Sequence, residues 1–357
     1  MNYRVEKNGG KAAYLQVYEQ LREDIAAGMY PFGSRLPSKR VLAEELGISL
    51  VTAEHAYSLL CDEGYAEARE RSGYFVSFRE GDVFLPPSAP LPPLPYVGGE
   101  RGGDFPFSVL AKTMRRVLSE HGEALMVKPE NKGCAPLRQA LSRYLARSRG
   151  IHARPEQIVI GAGAEYLYGL LVELLGRERT YAVESPSYKQ IERVYAANGV
   201  AFERLPLGQD GILSEALSAS AATVLHITPY RSFPTGVTAG ASKKREYLRW
   251  ADDGRMLVED DFESEFTLSH KPEETLFSLA ERGNVVYVNT FSKSISPAFR
   301  VGYMVLPEAL LDAFEQRVGF YSCTVPTFEQ YVLAQLLDSG EFERHINRVR
   351  RRKRQGK

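Results

Sequence analysis

The sequence predicts an α/β protein with a mostly parallel sheet, preceded by a smaller domain of helices and one hairpin. After residue 105, helical stretches alternate with the apolar runs "QIVIG", "TYAVES", "ATVLHITP" and "RMLVEDD". Such alternation is typical of a layered structure around parallel strands. Before residue 80 the apolar residues recur with helical spacing, and a proline-rich segment separates the two regions.

Length and composition restrict the class of protein. A chain of 357 residues, 44% apolar and 25% charged, suggests two or three folded, soluble domains. No apolar run approaches the ~20 residues of a membrane helix, and the N-terminus lacks the apolar core of a signal peptide. The three cysteines lie far apart, so neither zinc nor disulfide bonds are indicated. We therefore predict a cytoplasmic protein without a metal site or a membrane partner.

The first 79 residues predict three helices. One face of the first helix collects Tyr14, Val17, Leu21 and Ile25. Ser38 can cap the second helix, in "PSKRVLAEELG", and Gly47 can end it. The third helix begins at Ser49 and ends near Gly64.

A predicted β-hairpin, "YAEARERSGYFVSF", follows these helices, with its turn at Arg71, Ser72 and Gly73. Three helices and a hairpin, with only "GIS" between the second and third helices, predict a winged helix-turn-helix domain. Residues 80–105 include "PPSAPLPPLP" and predict a stiff interdomain linker. A proline-rich loop within one domain is the weaker alternative, because the sequence pattern differs on either side.

A winged helix of this kind predicts a set of DNA contacts. The third helix enters the major groove, and the wing approaches the minor groove. The predicted DNA-binding residues are Ser38 and Arg40 on the second helix, Ser49, Val51, Thr52 and His55 on the third, and Arg71, Ser72 and Gly73 at the wing tip. The net charge of the chain is zero, and its first 79 residues hold about as many acids as bases. A winged helix that binds another protein therefore stays an alternative.

Polar residues at the ends of successive predicted strands describe a site for pyridoxal 5'-phosphate (PLP). Lys293, in "NTFSKSISPAFRVGY", can form a Schiff base with an aldehyde. Asp260, at the end of "MLVED", can keep the pyridine nitrogen protonated. Tyr188 can lie flat on the ring. Each residue alone is a weak signal, but their order on one alternating scaffold favours a PLP site.

The phosphate of PLP has candidate ligands in two segments. Arg300 offers a planar guanidinium and Thr290 a hydroxyl. In "GAGAEYL", the amides of Ala164 and Glu165 can point at the same phosphate from the positive end of a helix.

Several stretches together resemble the MocR-type regulators of the GntR family, in which a winged helix is fused to a fold-type I aminotransferase-like domain. They are "GSRLPSKRVLAEELGIS", "EGYAEARERSGYFV", "NKGCAPLRQAL", "ESPSYKQ", "FPTG", "VEDDFESEF" and "TFSKSISPAFRVGY". The resemblance implies an internal aldimine at Lys293, Asp260 at the ring nitrogen, Tyr188 stacked on the ring, and Thr290 and Arg300 on the phosphate. The choice of Asp260 over Asp261 follows the D-x-Y spacing of the family.

The resemblance also implies partners. Such a regulator binds operator DNA, forms a head-to-tail, domain-swapped homodimer, and senses PLP, a small amino compound, or both. Two positions depart from the family's pattern or from that of true aminotransferases. Phe262 replaces the tyrosine that hydrogen-bonds the phenolic oxygen of the cofactor, and Phe233 replaces the asparagine of true aminotransferases. Both favour sensing over turnover, and the alternative is an active aminotransferase with a vestigial DNA-binding module.

The chain ends at "EFERHINRVRRRKRQGK", where members of this family continue for about one further small domain. We interpret this segment as the start of a family helix rather than a DNA-binding or solvated tail. The predicted domains are therefore 1–79, the linker 80–105, and a PLP-binding domain 106–357 whose small C-terminal part is incomplete. The substrate pocket is then expected to be incomplete as well.

Overall fold

The computed structural model describes residues 3–6, 11–79, 105–252, 254–267 and 274–356. The chain divides into two compact units, Met1–Val97 and Gly98–Lys357. The predicted linker 80–105 lies outside the described residues, except for residue 105.

The first unit has the predicted three helices and hairpin. Its elements are α1 (Ala13–Ala26), α2 (Lys39–Leu46), α3 (Leu50–Asp62), β1 (Ala66–Arg69) and β2 (Gly73–Val76). The two strands pair antiparallel, with Ala66 opposite Val76. The core includes Val17, Leu21 and Ile25 of α1, as the helical spacing predicted, together with Tyr57 and Leu60 of α3.

The predicted helix boundaries in this unit are confirmed. The Ser38 hydroxyl accepts a hydrogen bond from the Val41 amide at 3.3 Å, and the Ser49 hydroxyl accepts one from the Thr52 amide at 3.0 Å. Each serine thereby satisfies one of the free N–H groups at its helix start. Gly47 ends α2 in the left-handed conformation, with φ of 61°.

The second unit alternates helices and strands. Its helices are α4 (Phe107–His121), α5 (Ala135–Arg149), α6 (Ala164–Leu175), α7 (Lys189–Ala197), α8 (Ser214–Ala219), α9 (Ala241–Trp250), α10 (Leu276–Leu279), α11 (Leu311–Arg317), α12 (Thr327–Asp338) and α13 (Glu341–Arg354). Its strands are β3 (Ile158–Gly161), β4 (Tyr181–Ser185), β5 (Phe202–Pro206), β6 (Val224–Ile227), β7 (Met256–Asp260), β8 (Val285–Thr290) and β9 (Gly302–Val305).

Within the described residues these strands form a seven-stranded sheet in the order β3-β9-β8-β7-β6-β4-β5. The pairs β4–β5, β4–β6, β6–β7 and β7–β8 are parallel, whereas β9 is antiparallel to both β8 and β3. The prediction of a mostly parallel sheet is therefore confirmed. The carboxyl ends of β4, β6, β7 and β8 lie at one edge, where ligands bind in sheets of this kind.

Helices cover both faces of the sheet. Successive residues of β9 show this, because Tyr303 packs with α5 and α12 while Met304 packs with α6 and α11. Such alternation follows from the two-residue period of a strand. Among the described helices, none combines the length and the apolar character required to cross a membrane.

Two elements show where the sequence pattern succeeded and where it failed. The C-terminal segment is a helix, α13, which buries Phe342, Ile346 and Val349. This confirms the predicted helix.

Strand β5 was not predicted, because it lies at the edge of the sheet and Leu205 is its one buried residue. An edge strand with two adjacent charged residues, Glu203 and Arg204, has no continuous apolar run to reveal it.

Candidate functional site

The carboxyl ends of β7 and β8 bring two predicted cofactor ligands to one edge of the sheet. Asp260 is the last residue of β7, and Thr290 is the last residue of β8. The two strands are parallel neighbours, with Asp260 opposite Val288. Lys293 follows three residues after β8 ends, in the turn that leads to β9.

The Lys293 side chain is exposed, and its ammonium lies 5.1 Å from the centroid of the Phe262 ring. The aromatic residue that replaces the family's tyrosine is thus next to the predicted reactive amine. A lysine that forms a Schiff base requires a dry, shaped site. The single chain does not provide one, because Lys293 lies in a surface turn.

The Asp260 carboxylate is buried between two helices and strand β6. The Tyr168 hydroxyl of α6 donates a hydrogen bond to its Oδ2, and Nε2 of His226 lies 3.6 Å from the same oxygen. The Tyr195 hydroxyl of α7 lies 2.6 Å from Nδ1 of His226. Burial raises the pKa of both tyrosines well above the ordinary value, so both hydroxyls keep their protons.

Sequence reasoning missed this group. No motif contains Tyr168, Tyr195 and His226. A histidine inside an apolar strand and two tyrosines on amphipathic helices are typical of core packing. Only their convergence on Asp260 distinguishes these three residues from ordinary core residues.

The neighbouring Asp261 faces the other side of the sheet. Its Oδ2 accepts hydrogen bonds from Nε of Arg149 at 3.1 Å and from the Tyr287 hydroxyl at 2.6 Å. Nη2 of Arg149 also lies 3.6 Å from Glu265, whose pKa burial raises to about 7 although the nearby arginine lowers it. Asp261 is therefore part of a buried ion-pair network against α5.

The predicted phosphate ligands lie together at the start of α6. Gly163 is the N-cap residue, with φ of 92°, and a Cβ atom at this position would lie 2.9 Å from Nη2 of Arg300. The absence of a side chain there leaves room beside the guanidinium. Nη2 of Arg300 also donates to Oε2 of Glu165 at 2.9 Å, an ion pair that the sequence did not predict. Ala164 begins the helix, so its amide lies at the same helix end.

Two further predicted cofactor ligands, Tyr188 and Thr290, lie next to α7 and at the end of β8. Tyr188 directly precedes α7 and is 40% exposed, with its ring edge-on to Phe233 at 6.3 Å between centroids. The backbone amide of Thr290 donates to Oδ1 of Asn289 at 2.6 Å, and the Thr290 side chain is half-buried.

The predicted DNA-reading residues of α2 and α3 lie on the surface of the first unit. Arg40 and Val51 are exposed. Ser38, Ser49 and Thr52 are tied to the helix starts, because both serines are caps and the Ser49 and Thr52 hydroxyls are 2.8 Å apart.

His55, one of the predicted DNA-binding residues, is exposed and also packs against the first helix. Its ring stacks on Tyr14 of α1 at 4.0 Å between centroids. One face of the imidazole ring is therefore covered by Tyr14, while the residue as a whole stays exposed.

At the wing tip, Arg71 and Ser72 are exposed, and Gly73 has φ of 103°. Arg35 was missed by the sequence reasoning. Its Nε lies 3.4 Å from where a Cβ of Gly73 would be, so its guanidinium adds charge beside the wing. The available signal was a second arginine in "GSRLPSKR", close to the two residues already predicted.

The described residues include no group of three or more histidine, cysteine, aspartate or glutamate side chains placed to hold a metal ion.

Comparison with known proteins identifies both units. Residues 13–76 match the family "Bacterial regulatory proteins, gntR family", and residues 100–356 match "Aminotransferase class I and II". The latter family is PLP-dependent. The two matches confirm the predicted fold class.

Relatives of similar organisation occur in several bacteria. The HTH-type transcriptional regulator YdeL of Bacillus subtilis is 31% identical over 95% of this chain and 76% of its own length. The probable rhizopine catabolism regulatory protein MocR of Rhizobium meliloti is 27% identical, over 97% and 76%. The pyridoxine biosynthesis regulator PdxR of Corynebacterium glutamicum is 27% identical, over 94% and 75%.

Solved aminotransferases share the fold of the second unit. An archaeal alanine:glyoxylate aminotransferase matches 70% of this chain with a TM-score of 0.63 and 22% identity. The kynurenine aminotransferase of Pyrococcus horikoshii matches 71% with a TM-score of 0.62 and 25% identity. The match covers 64% of the first enzyme and 66% of the second, slightly less than two thirds of each. With both domain families matched and regulators among its relatives, the chain belongs to the MocR-type regulators of the GntR family.

Proposed function

We propose that this protein is a cytoplasmic, DNA-binding transcriptional regulator that binds PLP through Lys293 and senses PLP, a small amino compound, or both. Relatives named as transcriptional regulators support this function over that of an aminotransferase with a vestigial DNA-binding module. Residues 1–79 would bind operator DNA, and the aminotransferase-like domain would bind the cofactor.

The observation that carries the proposal is the pairing of β7 with β8. It brings buried Asp260 and the turn containing Lys293 to the same edge of the sheet. A primary amine can attach covalently to the aldehyde of PLP, and a carboxylate at the ring nitrogen keeps that nitrogen protonated. The orientation of Asp261 toward Arg149 supports Asp260 as the residue at the nitrogen.

The residues at the start of α6 fit a phosphate group. Gly163 leaves open the space beside Arg300 that a Cβ atom would fill. Arg300 supplies a guanidinium, and the amides of Ala164 and Glu165 lie at the positive end of a 12-residue helix. Together with Asp260 and Lys293, this set of donors suits PLP.

When bound, PLP supplies an aldehyde for amines and a ring that withdraws electrons. Arg300, Thr290 and the first amides of α6 would hold its phosphate. Tyr188, whose side chain is partly exposed, would cover one ring face. Phe262 has no hydroxyl and cannot hold a proton at the phenolic oxygen. The absence of this hydroxyl supports a sensing role over catalytic transamination.

Covalent trapping tests the proposal directly. Purified protein is incubated with excess PLP, reduced with borohydride, digested, and analysed by mass spectrometry for a pyridoxyl group. We expect the group on Lys293, and we expect none in the Lys293→Ala variant. Lys112→Ala, which changes an exposed lysine of α4, is the matched control. Wild-type protein without an adduct at Lys293 would contradict the proposal.

Turnover distinguishes the regulator from the alternative enzyme. Steady-state transamination is measured with PLP-loaded protein and a panel of amino acids. We expect no sustained turnover, and robust turnover would overturn a purely regulatory role.

DNA binding is tested by selection from random duplexes. We expect the wild type to enrich a sequence with two half-sites, because we propose a domain-swapped homodimer that presents two winged helices. Sedimentation of the protein then tests whether it forms a dimer. Binding of the Arg71→Ala variant to the selected duplex tests whether the wing contributes to DNA binding.

A further inference from the structure

His226 occupies a position that the proposed PLP site does not explain. It lies on β6 and is 1% exposed, and its two ring nitrogens face different buried polar side chains. Nδ1 lies 2.6 Å from the Tyr195 hydroxyl, and Nε2 lies 3.6 Å from Oδ2 of Asp260. Within the described residues, Nε2 has no hydrogen-bond partner.

A buried nitrogen without a partner costs about 1–3 kcal/mol, so this placement is unfavourable for folding alone. The separation of 3.6 Å is long for a hydrogen bond. In the low-dielectric interior, the dipole of a neutral N–H group at this separation still attracts the carboxylate oxygen. His226 is thus placed to act on the charge of Asp260.

The hydrogen atom on His226 can be assigned from its neighbours. Burial raises the pKa of Tyr195 well above its ordinary value, so Tyr195 is a protonated hydroxyl. In the described ranges, Nδ1 of His226 is the one acceptor within its reach. A tyrosine that donates to Nδ1 leaves the hydrogen of a neutral imidazole on Nε2, which faces Asp260.

Two donors therefore face the same carboxylate oxygen. The Tyr168 hydroxyl donates to Oδ2 of Asp260, and Nε2–H of His226 faces that oxygen. No described residue donates to Oδ1. The neutral donors fix the orientation of the carboxylate and leave Oδ1 for a group outside the protein.

No cation among the described residues pairs with Asp260. Arg149 is engaged by Asp261 and Glu265 on the other side of the sheet. Glu184 on β4 is one of the buried acids nearby, and burial raises its pKa to about 7, with a small contribution from Asp260. Hydrogen bonds to an ionised carboxylate favour the charged form. Among the described residues, the side chains that face the Asp260 carboxylate are therefore neutral donors.

We propose that His226, oriented by Tyr195, is a positioning residue that, with Tyr168, orients the Asp260 carboxylate and directs its free oxygen at the pyridine nitrogen of PLP. This inference rests on the proposed binding of PLP. The chain Tyr195–His226–Asp260 would connect α7, β6 and β7 behind the ring.

Two substitutions of His226 separate this role from packing. The amide of His226→Gln places a donor near the former Nε2 position, whereas His226→Asn keeps an acceptor for Tyr195 and loses that donor. Tyr195→Phe removes the donor to Nδ1. The visible absorbance of PLP attached to Lys293 is titrated against pH in each folded variant, and the Kd for PLP is measured.

We expect His226→Asn and Tyr195→Phe to move the midpoint of the absorbance change to higher pH by about one unit. The reason is that a less positive ring nitrogen lets the nitrogen of the Lys293 linkage hold its proton more tightly. The Kd should rise about ten-fold, which corresponds to one pKa unit. His226→Gln should lie close to wild type. A folded His226→Asn variant with the wild-type midpoint and Kd would overturn the inference.

A second measurement needs no PLP. Nitrogen-15 histidine spectra of the unliganded protein, with His226→Asn to assign the signal, report which ring nitrogen carries the hydrogen. We expect hydrogen on Nε2 in the wild type and a mixture of tautomers in Tyr195→Phe. Hydrogen on Nδ1 in the wild type would refute the inference. Failure of wild-type protein to form the Lys293 adduct would instead refute the proposed function.

Discussion

Asp260 and Asp261 are adjacent in sequence, yet they have opposite surroundings. Asp260 faces α6 and α7, where neutral donors hold it, and Asp261 is paired with Arg149 of α5. Successive residues at a strand end point to opposite faces of the sheet, which accounts for the difference. The resemblance to a family had favoured Asp260, and the geometry supports that choice by giving Asp261 another role.

Glu165 and Arg300 lead to a prediction about the phosphate site. Their ion pair lies where we propose the phosphate binds, so the Glu165 carboxylate competes for Arg300 and repels the dianion. We expect Glu165→Gln to tighten PLP binding about three-fold, because a half-exposed ion pair contributes less than about 1 kcal/mol. Absorbance titration measures the Kd.

The matched control is Glu173→Gln on the same helix. Glu173 is 34% exposed, as Glu165 is, and pairs with Arg177. Glu173→Gln should leave the Kd for PLP unchanged. Unaltered or weaker binding in Glu165→Gln would show that the pair does not oppose the phosphate.

Glu184 leads to a prediction about pH and stability. Burial raises its pKa from 4.5 to about 7, although the Ser232 hydroxyl donates to it at 2.7 Å. Between these values the folded protein binds more protons than the unfolded chain, so stability falls as pH rises through this window. The loss is at most about 3 kcal/mol and is complete above the folded-state pKa.

We expect Glu184→Gln to lose this part of the pH dependence. Urea unfolding of both proteins between about pH 5 and about pH 8 measures the difference. Glu259 and Glu265 also have raised pKa values and remain in both proteins, so the comparison isolates Glu184. Parallel stability curves for the two proteins would contradict the assignment.

At the scale of elements, the start of α3 combines a structural and a functional requirement. The Ser49 hydroxyl caps the helix through the Thr52 amide. We expect Ser49→Ala to destabilise the first unit by about 1 kcal/mol, whereas Ser49→Asp should keep the cap. Ser49→Asp should nevertheless weaken binding to a selected DNA duplex about ten-fold, because a carboxylate at this position would face phosphates.

Urea unfolding and fluorescence anisotropy measure these two effects separately. Ser58→Ala, an exposed position on the same helix and away from its start, is the control and should change neither quantity. Full DNA affinity in Ser49→Asp would place the start of α3 outside the interface.

At the scale of the whole molecule, cofactor binding should stabilise one unit. A ligand that binds only the folded state at 100-fold its Kd adds about 2.7 kcal/mol. We expect PLP to raise the unfolding temperature of the Gly98–Lys357 unit by a few degrees in calorimetry. Lys293→Ala should lose most of this shift, and Lys112→Ala should retain it.

The affinity of the protein for DNA, measured with and without PLP, tests whether PLP is the regulatory signal. A cofactor can alter DNA binding only if it binds two states of the protein with different affinity. We expect PLP to change the affinity for a selected duplex in the wild type and not in Lys293→Ala. Equal affinity with and without PLP would exclude PLP itself as the regulatory signal.

The sequence by itself determined the features that local interactions encode. The caps at Ser38 and Ser49, the hairpin and the alternation of strands and helices depend on neighbours a few residues away, so their patterns are legible in the chain. The family motifs likewise predicted Lys293, Asp260 and Arg300 as cofactor ligands. Edge strand β5 was not predicted, because Leu205 is its one buried residue.

The tertiary structure alone decided the surroundings of those residues. Tyr168 meets Asp260 across 92 residues of chain, and Arg149 meets Asp261 across 112. It also placed Glu165 on Arg300 and stacked His55 on Tyr14. Such contacts depend on which helix covers which face of the sheet, and no pattern within a few residues contains that information. The residue types of the proposed site could therefore be predicted from the sequence. The electrostatic environment of these residues was decided by their packing in the fold.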